Sequence, residues 1–580
     1  MKADKTEKDA KPVLGWGSDI VAELMRRLGI KYVCVNPGSS FRGLHDSLIN
    51  YLGNEKPQML LSLHEQSVVA IAHGYYKASG EPMAVVVHSN VGLMAGTMSI
   101  FNAWCDRVPM LILGATGAVD SAVRRNWIDW NHTFRDQGAL VRHYVKWDEQ
   151  PVTAKAQVDS ILRAWQAANT APCGPAYVIL DRRLQEDALN GDITLPDIAR
   201  YKPKAPAAPS EEALNSAVAM LSDAKNIVML IGRVSLDRKQ WDDRVQLAER
   251  LNARVVTDLR MGASFPTEHP LHGGPQDLFL SPNDKAAIGK ADLVLSLDWY
   301  DLADTMQQAG GKAKVISVTV DHHAHNAYSG DHQRLAPVDL DIAVEPHMAV
   351  AALLTRLKPT AKPMAIHHKS APEFTGDPAL TPTLTDLGQA MAKLREGRKV
   401  TLARAPLNWP SASYPFREPL DYLGYDGGGG VGSGPGMTVG AALALAGSGR
   451  VVVGIMGDGE FLGAASALWT AAHYNIPLLM IAANNRSYFT DEIQQETVAR
   501  ERKRPVANRW IGQRIDEPAV NLAGLARDFG VEAAGPIERA GDLFAALERG
   551  IKAVEAGKPY FIDVLIDPSR GASFDWLDDA

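Results

Sequence analysis

Short apolar runs alternate with helical patterns along most of this 580-residue chain, and no other feature constrains its fold as strongly. Such alternation is typical of parallel strands whose connecting helices cover both faces of a sheet. The sequence therefore predicts an α/β protein with doubly wound parallel sheets. The predicted strands are YVCV (32–35), AVVV (84–87), MLIL (110–113), AYVIL (176–180), NIVMLIG (226–232), ARVVTD (253–258), ADLVLSLD (291–298), KVISVTVD (314–321), RVVVGIMGD (450–458), PLLMIAAN (477–484) and YFIDVLID (560–567).

Two proline-rich stretches without helical or strand periodicity interrupt this pattern, at 188–211 and 358–382. We interpret both as linkers. The chain length agrees with this division, because domains commonly hold about 100–200 residues. The expected architecture is three doubly wound parallel-sheet domains in series, over residues 12–187, 212–358 and 383–580.

Composition narrows the kind of protein. Apolar residues make up 46% of the chain and charged residues 22%, as in globular proteins. The formal net charge of -7 gives no electrostatic footprint for nucleic acid. No run of 18 apolar residues predicts a membrane span. The polar start MKADKTEKDAK does not resemble a secretory signal, and three cysteines without metal spacing favour a reducing compartment, so we expect a cytoplasmic protein.

The third block carries the strongest chemical signal. One predicted strand ends at Gly457-Asp458-Gly459, and the next ends at Asn484-Asn485. Ligands of open α/β sheets bind where strands end, and the start of a following helix favours an anion such as phosphate. Aspartate and asparagine oxygens are hard ligands that Mg²⁺ accepts beside phosphate oxygens. The pattern predicts a phosphate and metal site at this sheet edge.

Two residues of the first block also stand at strand ends. The β-branched run Val85–Val87 stops at His88, where a chain that only fills space needs no imidazole. A histidine whose pKa lies near its ordinary value both gives and takes a proton around neutral pH. Glu65 stands at a strand-to-helix junction, where a carboxylate alone is an ordinary first-turn residue.

The GDG and NN pair resembles the diphosphate-binding motif of thiamine diphosphate (ThDP) enzymes. This resemblance implies that Mg²⁺ is held by Asp458, Asn485 and the backbone carbonyl of Ser487. Family members often carry Gly or Thr at the last position, and Ser is expected to be harmless there because only the carbonyl is needed. The resemblance also implies that Gly457 and Gly459 lie against the diphosphate.

The same resemblance assigns a role to each domain. It implies that residues 12–187 bind the pyrimidine ring of ThDP, that 212–358 form a central domain, and that 383–580 bind the diphosphate. Glu65 would then touch the pyrimidine ring and activate the cofactor. Val431 would be the bulky apolar residue that props ThDP into its bent shape. The site would lie between two chains, which implies a homodimer as the minimal unit and a homotetramer as the assembly.

Within this family the chain looks most like the benzoylformate decarboxylase group, to which acetolactate synthase, oxalyl-CoA decarboxylase and 2-hydroxyacyl-CoA lyase are related. The resemblance implies that Ser39 binds the substrate carboxylate and that His88 transfers protons. It covers the first and third blocks well and the middle block weakly. The stretches that carry it are NPGSS (36–40), LHEQSVVAIAHGYYKAS (63–79), HSNVGLMAGTMSIFNAW (88–104) and SALWTAAHYNIP (466–477).

The segment RSYFTDEIQQE (486–496) departs from the decarboxylases, in which an apolar aryl pocket follows the NN motif. It is either a solvated helix start or a polar wall of the site. If it faces the site, Glu492 is the leading candidate for a base acting on a 2-hydroxy group. We find no clean counterpart of the decarboxylases' second catalytic histidine. The middle-domain candidates are His272, which we cannot place in the site, and a cluster that we interpret as a surface loop, His322, His323 and His325.

The predicted reaction is ThDP- and Mg²⁺-dependent decarboxylation of a 2-oxo acid to an aldehyde. Cleavage of a 2-hydroxyacyl-CoA, an oxalyl-CoA decarboxylase-type reaction or an acetolactate synthase-like carboligation remains as an alternative. A non-catalytic relative and a flavin- or nicotinamide-linked oxidoreductase also stay open. The sequence does not decide whether FAD, ADP or CoA binds the central domain, or whether the C-terminal segment is a tail or a lid.

Overall fold

The structure is a computed structural model that describes residues 4, 13–191, 193–326, 331–359, 363–368, 370, 373 and 377–570. Its strands form three parallel sheets, each flanked by helices. This confirms the predicted α/β class with three parallel-sheet domains. Across the described residues, none of the helices has the length and apolar character needed to cross a membrane.

The N-terminal sheet has the strand order β2-β1-β3-β4-β6-β5. Its strands are β1 (Tyr32–Val35), β2 (Gln58–Leu61), β3 (Ala84–Val87), β4 (Met110–Thr116), β5 (Asp148–Glu149) and β6 (Pro175–Asp181). Its helices are α1 (Gly17–Arg27), α2 (Arg42–Asp46), α3 (Glu65–Ser79), α4 (Ser89–Cys105), α5 (Ile128–Asn131), α6 (Ala154–Asn169) and α7 (Arg182–Glu186).

The central sheet has the order β11-β10-β9-β7-β8. Its strands are β7 (Ile227–Ile231), β8 (Arg254–Thr257), β9 (Leu293–Leu297), β10 (Lys314–Val318) and β11 (Leu340–Ile342). Its helices are α8 (Glu211–Asp223), α9 (Arg238–Leu251), α10 (Pro282–Gly289), α11 (Leu302–Ala309) and α12 (Pro346–Arg356).

The C-terminal sheet has the order β12-β13-β14-β16-β15. Its strands are β12 (Lys399–Arg404), β13 (Arg450–Gly457), β14 (Leu479–Asn484), β15 (Glu532–Ile537) and β16 (Tyr560–Leu565). Its helices are α13 (Leu384–Leu394), α14 (Gly434–Ala444), α15 (Asp458–Ala464), α16 (Ala467–Tyr474), α17 (Phe489–Glu501), α18 (Leu522–Asp528) and α19 (Ala540–Glu555).

Every predicted strand is present, and the sequence missed five others, β2, β5, β11, β12 and β15. Four of them are short or interrupted: β2, β5 and β11 have four, two and three residues, and β15 contains Gly535-Pro536. The fifth, β12, has six residues with a charged residue at each end. Neither the length of β5 nor the Gly-Pro pair of β15 gives the apolar signal on which strand prediction depends.

Glycines bring the N-terminal and C-terminal domains into close contact through α3 and α14. A Cβ at Gly74 would lie 2.0 Å from the carbonyl oxygen of Met437, and one at Gly440 would lie 1.9 Å from that of Ile71. Real Cβ atoms do not approach backbone oxygens so closely, so only glycine permits this packing. The contact fixes the helix that begins with Glu65 against the C-terminal domain.

A buried group of charges joins the N-terminal domain to the central domain. Arg107 donates to Asp298 at 2.5 Å and to Asp321 at 2.7 Å. Arg233 lies 3.2 Å from each of the same two carboxylates. Since Asp298 and Asp321 follow β9 and β10, the ends of the central strands are neutralised by arginines of two domains.

Candidate active site

The carboxylate of Asp458 lies at the junction of β13 and α15, at the carboxyl edge of the C-terminal sheet. Its side chain is buried. Burial raises the pKa of Asp458 to about 6, and the nearby Asp563 carboxylate adds to the rise. Backbone N–H groups of Asp458, Gly459 and Arg486 partly offset it. A buried carboxylate held only by such dipoles is suited to receive a cation.

The loop after β14 lies beside Asp458, because β13 and β14 are neighbours and Gly457 pairs with Ala483. Asn484 donates to Asp563 at 2.9 Å, which anchors the loop to β16. The side-chain oxygen of Asn485 accepts from the Ser487 N–H at 3.0 Å. The strand ends thus bring together the two segments that carry the predicted metal ligands.

The donors fit a magnesium ion chemically. Asp458 offers a carboxylate, Asn485 an amide oxygen and Ser487 a backbone carbonyl, which are all hard oxygen ligands. Among the described residues there is no group of three or more His, Cys, Asp or Glu side chains that could hold a metal. The site predicted here has one carboxylate together with amide and carbonyl oxygens, so it would not be among such groups.

The two glycines of the GDG motif have different surroundings. A Cβ at Gly459 would lie 2.7 Å from Cε1 of Tyr488, so the tyrosine ring occupies that space. A Cβ at Gly457 would meet nothing within 4 Å. The absence of a side chain at Gly457 therefore leaves open room at the sheet edge, where a diphosphate would need it.

Glu65 begins α3 and is buried against α4. A Cβ at Gly92 would lie 2.4 Å from Glu65 Oε1, and one at Gly96 would lie 3.6 Å from Glu65 Cβ. The glycine at position 92 thus creates the space that the carboxylate fills. The position of the carboxylate is set by packing between two helices.

Val431 lies in the loop before α14 and is 54% exposed. Its carbonyl oxygen accepts from Gln66 Nε2 at 3.2 Å, so the loop contacts the residue that follows Glu65. An exposed apolar side chain beside a buried carboxylate is available for a cofactor or a second chain.

His88 directly precedes α4 and contacts the NPGSS loop. Ser40 is buried, and its Oγ shares a hydrogen bond of 2.7 Å with His88 Nδ1. Gly38 allows this closure, because a Cβ there would lie 2.2 Å from the imidazole. Ser39 is exposed at the start of a short 3₁₀ turn and remains free to face a ligand.

The expectation that His88 keeps an ordinary pKa is wrong. Burial lowers the pKa of His88 to about 4, and His132 and Arg125 lower it further. The His132 ring packs edge-on against His88 with 4.6 Å between ring centroids. His88 is therefore neutral at physiological pH, where it can donate or accept a hydrogen bond but carries no standing charge.

Ser40 and His132 are the residues of this site that sequence reasoning missed. Ser40 is adjacent to the predicted Ser39, and only the structure shows which of the two contacts His88. His132 lies in a long connection between β4 and β5 without helical or strand periodicity. Its Nδ1 is buried and has no hydrogen-bond partner within the described part of the chain.

Glu492, the candidate base if the 486–496 segment faces the site, is buried in this structure. The Glu492 side chain is 1% exposed and accepts from Ser487 Oγ at 2.5 Å. Arg514 and Arg509 lie 3.4 and 3.5 Å from its two oxygens. The exposed acid of this first turn is Asp491. Glu492 fails as a candidate base because arginines from a distant segment surround it.

The histidines of the central domain lie outside this constellation. His272 contacts Thr257 Oγ1 at 2.8 Å, and burial lowers its pKa to about 4. The cluster follows β10 on the surface, as predicted, with exposed side chains at His322, His323 and His325. The C-terminal segment continues with Asp567, which binds Arg570, and residues 571–580 lie outside the described residues.

A cavity of about 580 Å³ lies between the N-terminal and central domains. It opens at Gly232, at the carboxyl end of β7, and reaches the start of α9. Lys77, Lys204 and Arg233 are among its lining residues. A ligand of the central domain would lie here, because open α/β sheets bind ligands outside the carboxyl ends of their strands.

Comparison with known protein families identifies the class. The chain matches the N-terminal TPP binding domain of thiamine pyrophosphate enzymes at residues 15–140, the central domain at 214–342 and the C-terminal TPP binding domain at 407–564. These matches cover more than half of the chain. The protein belongs to the thiamine pyrophosphate enzyme family, and thiamine diphosphate is its cofactor at family level.

Individual relatives are more distant. The chain is 27% identical to a benzoylformate decarboxylase of Pseudomonas aeruginosa, over 93% of this chain and 97% of the relative. It is 23% identical to a probable acetolactate synthase large subunit of Methanocaldococcus jannaschii, over 96% and 92%. These relatives support a ThDP-dependent lyase without fixing the reaction.

Two solved structures share the fold. A benzoylformate decarboxylase from Polynucleobacter necessarius superposes with a TM-score of 0.78 at 20% identity, covering 95% of this chain and 99% of the other. A 4-hydroxybenzoylformate decarboxylase from Rhodococcus jostii superposes with a TM-score of 0.75 at 22% identity, covering 96% and 100%.

Proposed function

We propose that this protein is a ThDP- and Mg²⁺-dependent enzyme that cleaves the carbon–carbon bond next to a carbonyl, by decarboxylating a 2-oxo acid to an aldehyde. The observation that carries the proposal is the presence of two buried carboxylates at the positions where ThDP enzymes need them. Asp458 lies among oxygen donors at one sheet edge, and Glu65 begins a helix that packs on the same domain. The benzoylformate decarboxylase relative supports this reaction over others.

The chain's own residues would divide the work. When bound, ThDP supplies the nucleophile and the electron sink for the cleavage. Asp458, Asn485 and the Ser487 carbonyl would hold Mg²⁺, and the open space at Gly457 would admit the diphosphate. Glu65 would hold the proton that its carboxyl oxygen shares with the pyrimidine ring of the cofactor.

His88 and Ser39 would act on the substrate. Because Ser40 occupies Nδ1 of His88, Nε2 is the ring nitrogen left for the substrate. The lowered pKa keeps His88 neutral, so it would pass a proton on rather than neutralise a carboxylate. Ser39, exposed on the adjoining turn, would bind the substrate carboxylate.

We also infer that the working unit is a homodimer, assembled further into a homotetramer. Val91, Met94 and Met98 lie at helical spacing on α4 and are 43%, 47% and 37% exposed. They lie on the helix that packs against Glu65. An apolar helix face beside a buried catalytic group is best explained by a second copy that covers it. A cytoplasmic location remains a prediction.

Cleavage of a 2-hydroxyacyl-CoA is the second candidate, favoured by one observation. Asp491 is exposed and Thr490 is half-buried in the first turn of α17, directly after the metal loop. A polar wall suits hydroxyl or amide groups better than a phenyl ring. The similarity to acetolactate synthases supports carboligation as a further alternative, since it would use the same ThDP chemistry.

Release of CO₂ from benzoylformate tests the proposal. Purified protein is assayed with ThDP and Mg²⁺, with EDTA-stripped protein and Asp458→Asn as controls. We expect release that needs both the metal and Asp458. If protein that binds ThDP releases no CO₂ from benzoylformate or from aliphatic 2-oxo acids, decarboxylation is wrong, and 2-hydroxyacyl-CoA substrates become the next assay.

A further inference from the structure

The Ser487 carbonyl has a defined direction. The chain around Ser487 pairs antiparallel with residues 513–515 through two backbone hydrogen bonds, of 3.0 and 2.7 Å, that flank the pair Ser487 and Arg514. A residue between such bonds turns its own N–H and C=O away from the neighbouring segment. The Ser487 N–H accordingly binds Asn485 on the other side, which is the side where a metal would lie.

This conformation needs support from outside the loop. Arg486, the residue before Ser487, has a φ of +56°. Non-glycine residues adopt this left-handed region at a cost, and they hold it only when neighbouring contacts fix it. Residues 513–515 supply backbone contacts of that kind, so the loop depends on where that segment lies.

Glu492 links the loop, the helix and this segment. It lies in the first turn of α17 and accepts a hydrogen bond of 2.5 Å from Ser487 Oγ. Arg514 lies 3.4 Å from the same carboxylate oxygen, and Arg509 lies 3.5 Å from the other. The Ser487 hydroxyl, which the metal itself does not need, is thereby held by a buried charge.

We propose that Glu492 is a positioning residue: it sets the Ser487 carbonyl for Mg²⁺ through the serine hydroxyl and the arginines that fix residues 513–515. This rests on the proposed metal site of Asp458, Asn485 and Ser487. The identity of residue 487 then matters for metal binding, because the serine side chain makes the hydrogen bond to Glu492.

The test is the Mg²⁺ concentration that gives half-maximal ThDP binding, measured by protein fluorescence and checked by equilibrium dialysis. The full-length variants are Glu492→Gln, Ser487→Ala and the double variant. Glu501→Gln is the matched control, because Glu501 is an exposed carboxylate at the end of the same helix. The unfolding midpoint of each protein is recorded without metal.

We expect each single variant to raise the half-maximal Mg²⁺ concentration about tenfold, as the loss of an outer-shell partner does. The double variant should show the same shift as Glu492→Gln alone, since that change already breaks the link to the Ser487 hydroxyl. The Glu501→Gln control should stay within about twofold, because an exposed carboxylate at the far end of the helix is not an outer-shell partner of the proposed metal. If Glu492→Gln does not fold, Ser487→Ala, which removes one hydroxyl, carries the test.

Two results would overturn the proposal. One is a Mg²⁺ requirement unchanged in Ser487→Ala, or shifted no more by Glu492→Gln than by the control, even where the unfolding midpoint falls. The other is a double variant whose shift is the product of the single shifts. Wild-type protein that binds ThDP equally well with EDTA would instead refute the proposed metal site, and the inference with it.

Discussion

The C-terminal and central sheets both carry buried aspartates at their carboxyl edges, but the surroundings of these aspartates are opposite. Asp458 is held by backbone N–H groups, and burial raises its pKa to about 6. Burial also disfavours ionisation of Asp321, but the guanidiniums of Arg233 and Arg107 outweigh it and lower the pKa of Asp321 to about 2. Backbone N–H groups only partly offset the rise at Asp458, whereas two guanidiniums face Asp321.

This difference separates a ligand site from a structural contact on similar scaffolds. A pKa raised from 3.8 to about 6 corresponds to about 3 kcal/mol for keeping Asp458 ionised without a cation. A bound metal would remove that cost, which supports the proposed metal site at this edge. At the central edge, ion pairs with Arg107 and Arg233 offset the cost of burying the carboxylates. These ion pairs also join the N-terminal and central domains.

Replacing the carboxylate by an amide at each edge tests the comparison most directly. Asp458→Asn should weaken Mg²⁺-dependent ThDP binding by about 100-fold or more, because a direct ligand is lost. Asp321→Asn should leave ThDP binding of the folded protein within about twofold, because the loss falls on stability. Calorimetric titration of both variants checks this. Equal losses of ThDP binding in the two variants would contradict the distinction between a ligand site at Asp458 and a structural contact at Asp321.

Glu65→Gln tests the proposed role of the second buried carboxylate of the candidate active site. Glutamine keeps the shape that Gly92 accommodates but cannot hold the shared proton, so kcat should fall by about 10²–10⁴-fold. ThDP binding should remain near the wild-type value. Parallel kcat and binding measurements separate the two effects, and full activity in this variant would refute the proposed mechanism.

Adding a methyl group beside Glu65 should have a smaller effect. Gly92→Ala places a Cβ where Glu65 Oε1 now lies, and a displaced carboxylate should lower kcat about tenfold. Gly96→Ala on the same helix is the control, since its Cβ would make ordinary contacts of 3.5 and 3.6 Å. Steady-state kinetics should show the loss in the first variant alone. Similar losses in both would mean that general helix packing is responsible.

The smallest effect concerns pH and the central edge. Because the folded-state pKa of Asp321 lies below its ordinary value of 3.8, its ion pairs stabilise the protein above that value and the gain disappears as the pH falls through about 2. The difference in unfolding midpoint between wild type and Asp321→Asn should therefore be smaller at pH 3 than at pH 7. Thermal unfolding at both values checks this, and a constant difference would contradict it.

Sequence reasoning identified the candidate site residues and the fold class where the signal is local. Asp458, Asn485, Glu65 and His88 each stand where a strong apolar strand stops or a helix starts, and that position can be read along the chain. The three parallel sheets followed from the same strands. Strand β12, in contrast, has charged residues at both ends and was missed.

Sequence reasoning failed where the partner of a residue is distant in sequence. Glu492 was a candidate base because the local sequence does not show its burial. Its partners Arg509 and Arg514 belong to a later segment. The low pKa of His88 depends on burial and on His132, 44 positions away by residue number. The ion pair between Arg107 and Asp298 joins two domains, and no local sequence pattern predicts it.

The most direct test of the account is calorimetric titration of wild-type protein with ThDP, with and without Mg²⁺. If Asp458 is a ligand of Mg²⁺, as proposed, ThDP binding should be tight with the metal and lost after EDTA treatment. Binding of equal strength without any divalent metal, or no binding under either condition, would contradict the account.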